Sequence, residues 1–260
     1  MEKTGKGRLA LVLLTLALPW LGVWPSPGEE ARPVSLTQEK TEENIQEDAQ
    51  KNIQENTQVD RPLVALTFDD GPRRSTTSEL LDGLAQRGVQ ATFFLIGKQI
   101  EGNEDLVERM EAEGHQIGIH SFDHKILTAL NATDFAAQVD REGEVLKETV
   151  GREDFPLRPP YGEVDAAVKK RADGPIILWS VDPEDWRYQD ADRVTAHILD
   201  NVRDGDIILL HDIFPTSVEA ALRVVDALHQ RGFLFVTVGE LAAQRHVELE
   251  AGKVYRTFYP

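Results

Sequence analysis

Between Pro62 and Val238, short apolar runs alternate with longer amphipathic stretches. The runs Leu63–Phe68, Thr92–Ile96, Gln116–Ile119, Phe155–Leu157, Ile176–Val181, Ile207–Leu210 and Phe233–Val238 have the length and composition of buried strands. Ser75–Gln86, Glu104–Ala112, Ala132–Val150, Val164–Arg171, Ala191–Val202 and Val218–Gln230 carry the spacing of helices. Strands alternating with helices predict an α/β fold of parallel βαβ units. About seven such units, with no GxGxxG turn among them, favour a barrel over a dinucleotide-binding sheet. A parallel barrel places its working groups at the C-terminal ends of its strands.

The polar residues obey that rule. Asp69 and Asp70 follow the first run, and His120 and His124 follow the third. Arg158-Pro-Pro-Tyr161-Gly162 follows the fourth; Asp182, Asp185 and Trp186 follow the fifth, and His211 and Asp212 the sixth. Two adjacent carboxylates at the mouth of a buried strand are costly unless a cation or a hydrogen-bond network uses them, although Asp-Asp-Gly-Pro is also a common turn. The HxxxH spacing of His120 and His124 lets two imidazoles face one cation, and an Asp from another strand end would complete a 2-His-1-carboxylate site. Arg158 at a strand end predicts an inward ion pair with a carboxylate. His211 alone reads equally as a core histidine, and Trp186 as core or as an apolar wall for a sugar or acetyl group. His115, His197, His229 and His246 lack such neighbours and read as ordinary surface or helix residues.

Composition narrows the classes. The chain has 260 residues, 41% of them hydrophobic, enough for one full-sized core with a leader and a linker. A net charge of -17 with no compensating basic face excludes nucleic acid as the expected partner. Cysteine is absent, so a metal must be held by His and carboxylate. Residues 1–24 combine Lys3, Lys6 and Arg8 with the apolar segment Leu9–Val23, the layout of a signal peptide or of an N-terminal membrane anchor, and predict export. Residues 25–60 are acidic, rich in Glu, Gln, Asn and Thr, and read as a disordered tether to a globular domain over 61–260. The tail Lys253–Pro260 carries Tyr255, Phe258 and Tyr259 and reads either as packed back on the barrel or as loose.

Five ordered motifs carry a resemblance: Thr67-Phe-Asp69-Asp70-Gly-Pro72, His120-Ser-x-x-His124, Arg158-Pro-Pro-Tyr161-Gly162, Asp185-Trp186 and Leu209-x-His211. Together they resemble the polysaccharide deacetylases, the NodB-homology group or carbohydrate esterase family 4, over about Pro62 to Leu241. The resemblance implies a distorted (β/α) barrel that removes N-acetyl groups from a polysaccharide such as peptidoglycan or a chitin-like polymer. It implies that Asp70, His120 and His124 bind a divalent metal, zinc in the simplest case with cobalt or nickel as alternatives. It further implies Asp69 as general base oriented by Arg158, His211 as general acid tuned by Asp185, and the Tyr161 backbone N–H as an oxyanion donor. Trp186 and Leu209 match residues that line the acetyl pocket. Ile119 departs from the pattern, standing where the family often has Asn, and Tyr161 resembles the N-acetylglucosamine branch more than the muramic-acid branch, which often carries Arg. An O-acetyl esterase acting on xylan, or a silent carbohydrate-binding domain of the same fold, are the alternatives.

Overall fold

The strand β1 (Leu63–Asp69) is the axis of the fold, and every one of its residues is buried. Burial on both faces is what a parallel strand requires when helices cover one side and other strands the interior. One edge of β1 pairs along its length with β5 (Asp206–His211), from Val64 opposite Asp206 to Asp69 opposite His211. The other edge is shared by β2 (Thr92–Leu95) at the C-terminal end and β6 (Leu234–Phe235) at the N-terminal end. Beyond β2 lies β3 (Gln116–Ile119), and all of these pairings are parallel. A computed structural model describes residues 61–260, so the expected leader (1–24) and linker (25–60) lie outside the described residues.

The sequence suggests seven barrel strands, but only five form the regular sheet. Single parallel bridges continue it: Ile119 to Leu157, Leu157 to Ile176, and Val181 back to Ile208 beside β1. The barrel is distorted for identifiable reasons. Pro156 and Pro159 bracket Leu157 and lack the N–H that a ladder needs, so Phe155–Leu157 pairs through one residue. Ile176–Val181 breaks in two: β4 (Ile176–Ile177) pairs with β7 (Val254–Tyr255), whereas Val181 turns to β5. Gly118 permits the close approach of these layers. A Cβ there would lie 2.6 Å from the Phe94 ring and 2.8 Å from the Pro156 carbonyl.

The connections are helical: α1 (Arg74–Arg87), α2 (Gly97–Ile100), α3 (Glu104–Ala112), α4 (Ala132–Val150), α5 (Ala166–Arg171), α6 (Asp185–Tyr188), α7 (Ala191–Asn201) and α8 (Pro215–Gln230). The run Phe233–Val238 is strand only over β6. Thr237 instead caps α9 (Val238–Gln244), its hydroxyl accepting from the Glu240 N–H while Glu240 accepts from the Thr237 N–H.

Alternation along β1 divides the core. Val64, Leu66 and Phe68 face the helix layer, packing with Leu80, Leu81 and Leu84 of α1 and with Val218, Ala221 and Val225 of α8. Leu63 and Ala65 face the interior with Phe94, Ile177 and Ile207, and Val238 and Leu241 of α9 close its floor. The tail joins this floor through Tyr255 and Phe258, and the Phe258 N–H donates to Gly205. Thr67 and Asp69 lie on the same interior face of β1, so the barrel turns from apolar at its floor to polar at its rim.

Candidate active site

Arg158 organises that polar layer. Its guanidinium is fully buried, a costly placement unless its donors are paired. Nη1 donates to Asp69 Oδ1 (2.7 Å) and Thr67 Oγ1 (2.8 Å), Nε to the Ile177 carbonyl (3.1 Å) and Nη2 to the Leu178 carbonyl (3.2 Å). The group lies over the Phe94 ring, 4.0 Å from its centroid. Asp69 Oδ1 is thereby committed, whereas Oδ2 faces His120 Nε2 at 3.6 Å. The inward ion pair expected for Arg158 is present.

Asp70, His120 and His124 converge beside it. Asp70 Oδ1 lies 3.5 Å from His120 Nε2 and 3.3 Å from His124 Nε2, and all three ligand atoms fall within 4.8 Å of one another. That Asp70 oxygen is buried and has no hydrogen-bond partner among the described residues. His120 Nδ1 lies 2.7 Å from the Arg158 main-chain carbonyl, which can only accept, so the proton sits on Nδ1 and Nε2 keeps its lone pair. Burial and the neighbouring His120 lower the pKa of His124, against the opposing pull of Asp70 and Asp69, which favours a neutral ring. An orphaned carboxylate oxygen and two imidazole lone pairs aimed at one point fit a divalent cation.

The backbone is bent to achieve this. Asp70 (φ 73°), Ser121 (φ 69°), His124 (φ 57°), Tyr161 (φ 63°) and Glu184 (φ 54°) all adopt left-handed conformations without being glycine. Such conformations cost about 1–3 kcal/mol each and persist where surrounding structure enforces them. Here they sit in the loops that carry the candidate ligands, Tyr161 and Asp185.

On the far side, His211 closes β5. Its Nδ1 lies 2.8 Å from Asp185 Oδ1, and its backbone N–H donates to Asp185 Oδ2 at 2.8 Å. Asp185 is fully buried and accepts a third bond from the Ser217 hydroxyl at 2.6 Å. Burial alone would push the His211 pKa down. The hydrogen bond and charge of Asp185, with Asp69 and Asp70 behind it, more than offset this and raise it to about 9.

One cleft of about 350 Å³ joins these groups, lined by Asp69, Asp70, His120, His124, His211 and Leu209 and by the aromatic rings of Tyr161, Trp179, Trp186 and Phe214. Trp186 is half exposed on the wall rather than in the core, and the Tyr161 ring stands edge-on to His124, 4.8 Å between centroids. All ten site residues singled out in the sequence are thus at this rim: eight of them, all but Asp185 and Arg158, line the cleft, and those two hold His211 and Asp69 from behind.

Sequence reasoning missed Ser217 and the cleft residues Trp179 and Phe214, and it quoted Thr67 in a motif without giving it a role. It also missed Glu142 of α4, buried behind the site, which accepts from the His120 N–H at 3.2 Å. Hydroxyls and a helical Glu carry no motif signal. His115 corrects a reading: it is buried rather than on the surface, its Nδ1 accepting from the Ala91 N–H and its ring edge-on to Phe93. His197, His229 and His246 are exposed, as expected.

Comparison with protein-family models matches residues 55–173 to the family described as Polysaccharide deacetylase. Peptidoglycan-N-acetylglucosamine deacetylase PgdA of Listeria monocytogenes is 40% identical over 192 residues, 74% of this chain. The chain spans 41% of the length of that curated relative. Among solved structures, T48 deacetylase with substrate is similar at 39% identity and a TM-score of 0.72, with 75% of this chain and 96% of that chain covered. A family 4 acetyl xylan esterase from Clostridium thermocellum, in complex with a cobalt ion, is 30% identical at a TM-score of 0.72, covering 75% of this chain and 98% of the other.

Proposed function

The chain belongs to the polysaccharide deacetylase family, and we propose that its cleft hydrolyses N-acetyl groups of a polysaccharide, on N-acetylglucosamine residues of peptidoglycan or a chitin-like polymer. The observation that carries the reading is that a cation-fitting triad, an oriented carboxylate and a protonated imidazole line one cleft. Asp70, His120 and His124 would hold a divalent cation, zinc in the simplest case and cobalt or nickel otherwise. Such an ion, when bound, supplies Lewis acidity toward the acetyl carbonyl and toward water.

Asp69, oriented through Oδ1 by Arg158, accepts the proton of the attacking water on its other oxygen as the water oxygen bonds to the acetyl carbon. The Tyr161 main-chain N–H offers a hydrogen bond to the oxyanion that forms. Cleavage of the C–N bond then needs a proton on nitrogen, because an amine anion is too basic to depart. With Nδ1 turned to Asp185, His211 holds a second proton on Nε2 up to about pH 9 and delivers it there. Leu209 and Trp186 flank the space left for the acetyl methyl. Residues 1–24 and 25–60 support a placement outside the membrane, on a tether that reaches the cell wall.

The test is acetate release from N-acetylglucosamine oligomers, peptidoglycan and acetylated xylan, by chelated protein and again with zinc, cobalt or nickel restored. Release from the N-acetylated substrates that needs the ion, and that falls about 10³-fold in Asp69→Asn and in His211→Ala, is expected. Silence of the folded, ion-loaded protein on every polymer would overturn the reading and leave a carbohydrate-binding role. The likeness to the acetyl xylan esterase favours a second reading, O-deacetylation of xylan. An alkoxide leaves more readily than an amine anion, so His211→Ala would then cost far less than Asp69→Asn.

A further inference from the structure

The catalytic cleft does not end at the cation triad. A second groove of about 250 Å³ shares Asp70 and His124 with it, lies between Arg73, Lys98, Gln99 and Ile213, and includes none of the aromatic side chains Tyr161, Trp179, Trp186 and Phe214. Its charge is unusual for this molecule. In a chain of net charge -17, the two long side chains flanking this groove are both cationic. Arg73 Nη1 is held by the Ile213 carbonyl at 2.8 Å, and its Nε and Nη2 have no partner among the described residues. Among the described residues, Lys98 approaches only the carboxylate of Asp123, at 3.9 Å, which Lys125 and Gln138 also contact.

The two arms of the site therefore offer different chemistry. Tyr161, Trp186 and Phe214 line one arm with aromatic rings, which suit a neutral pyranose. Arg73 and Lys98 present a fork of N–H donors and a point charge, which suit a carboxylate. We propose that the groove between Arg73 and Lys98 is a subsite for a carboxylate carried by the sugar next to the one being deacetylated, and that it selects acidic glycans over neutral ones. The proposal rests on the deacetylase reading of the adjoining cleft. Among glycans rich in N-acetylglucosamine, a strand whose alternate sugars bear a lactyl ether with its carboxylate free, not amide-linked to a peptide, satisfies it and chitin does not.

The experiment uses the full chain loaded with zinc and three tetrasaccharides: a neutral N-acetylglucosamine oligomer, a peptide-free N-acetylglucosamine–N-acetylmuramic acid oligomer, and the same oligomer with its carboxylates methyl-esterified. The double variant Arg73→Gln/Lys98→Gln leaves the Arg73 backbone N–H free to donate to Thr77 as before, so α1 keeps its start. Wild type is expected to prefer the free acid over the ester by about fivefold or more in kcat/KM, a preference that salt weakens and the double variant abolishes. No preference in wild type, or an equal loss on acid and ester in the variant, overturns the subsite and leaves the deacetylase reading standing. If wild type releases acetate from none of the three, the deacetylase reading fails. Calorimetric binding of acid and ester to Asp69→Asn then decides the subsite alone: tighter binding of the acid, lost on adding Arg73→Gln/Lys98→Gln, supports it, and equal binding overturns it.

Discussion

His120 follows β3 and His211 ends β5, two strands of one sheet with β2 and β1 between them, and each has its Nδ1 fixed at one cleft, yet the two rings have different partners behind them. The difference lies in what accepts the Nδ1 proton. For His120 the acceptor is a neutral carbonyl, that of Arg158, which sets the tautomer without adding charge. For His211 it is the buried carboxylate of Asp185, which stabilises the imidazolium and lifts its pKa to about 9. In the proposed reaction one ring keeps a lone pair for a cation and the other a proton for a leaving group. The comparison teaches that the partner behind a histidine, rather than its position on the rim, decides whether it serves as ligand or acid.

The largest effect should come from the one residue that supports the His120 side twice. Arg158 orients Asp69 through its guanidinium and His120 through its carbonyl, and substitution removes only the first. In Arg158→Met, Asp69 keeps its burial and loses its counterion, and the Ile177 and Leu178 carbonyls lose a donor each. Breaking a buried pair in this way costs about 3–5 kcal/mol, read as a fall in the urea midpoint at constant slope. Acetate release should fall by about 10³-fold, while cation affinity, carried by the untouched carbonyl and the triad, should fall far less. Recovery of part of the lost stability in Arg158→Met/Asp69→Asn is expected. A double variant no more stable than the single one would show that the pair is not the source of the loss.

The next effect tests the other side. Asp185→Asn keeps a hydrogen-bonding oxygen near His211 and removes the charge. A rate that needs protonated His211 is retained below the pKa and lost as pH rises through it, so wild type should decline through about pH 9. In the variant that limb should move to lower pH, and the rate at neutral pH should fall about 10²-fold. The same linkage acts on stability. The folded pKa lies above the unfolded value, so the contribution of His211 is complete below about pH 6.5 and disappears by about pH 9, roughly 3 kcal/mol in the ion-free protein. Urea titrations across that interval should slope downward in wild type and be flatter in Asp185→Asn.

Where the fold was legible in the sequence follows from how directly a residue's chemistry shows in its neighbours. The strand cores and the rim residues announced themselves, because a polar group directly after an apolar run is a departure from pattern, as at Asp69, His120 and His211. Strand extent did not: the bridge at Leu157 is limited by prolines on either side, and Ile176–Val181 serves two partners in succession, which no local pattern records. Thr237 and Glu240 form a capping box, but Thr237 falls inside the apolar run Phe233–Val238, which reads as strand. The pairing of β7 and the burial of Phe258 depend on residues far away in the chain, as does the burial of His115 against Phe93. The same is true of the residues behind the site, where a serine or threonine hydroxyl gains its role only from the partner that the fold brings to it.

Ser217 is the case that tests this last point with the smallest perturbation. It lies in the first turn of α8, 32 residues from Asp185 in sequence, and its buried hydroxyl is the third donor to that carboxylate after the His211 ring and backbone. Removing it leaves Asp185 charged and still bound to His211 by two hydrogen bonds, so the fold and the identity of the acid should survive. What changes is the charge left on the carboxylate, because Ser217 and the His211 backbone N–H bind Oδ2 while the imidazole ring binds Oδ1. With one donor fewer, the carboxylate binds the imidazolium more strongly and is held less firmly in place. Ser217→Ala should therefore move the descending limb of the rate slightly upward in pH, opposite to Asp185→Asn, while kcat falls about threefold to tenfold and stability by about 1 kcal/mol. A limb that moves downward would mean that the hydroxyl supports the charge of Asp185 rather than competing for it. A limb that stays still, with kcat unchanged, would reduce Ser217 to a packing contact between α8 and Asp185 and leave Asp185 alone as the reason for the proposed difference between His211 and His120.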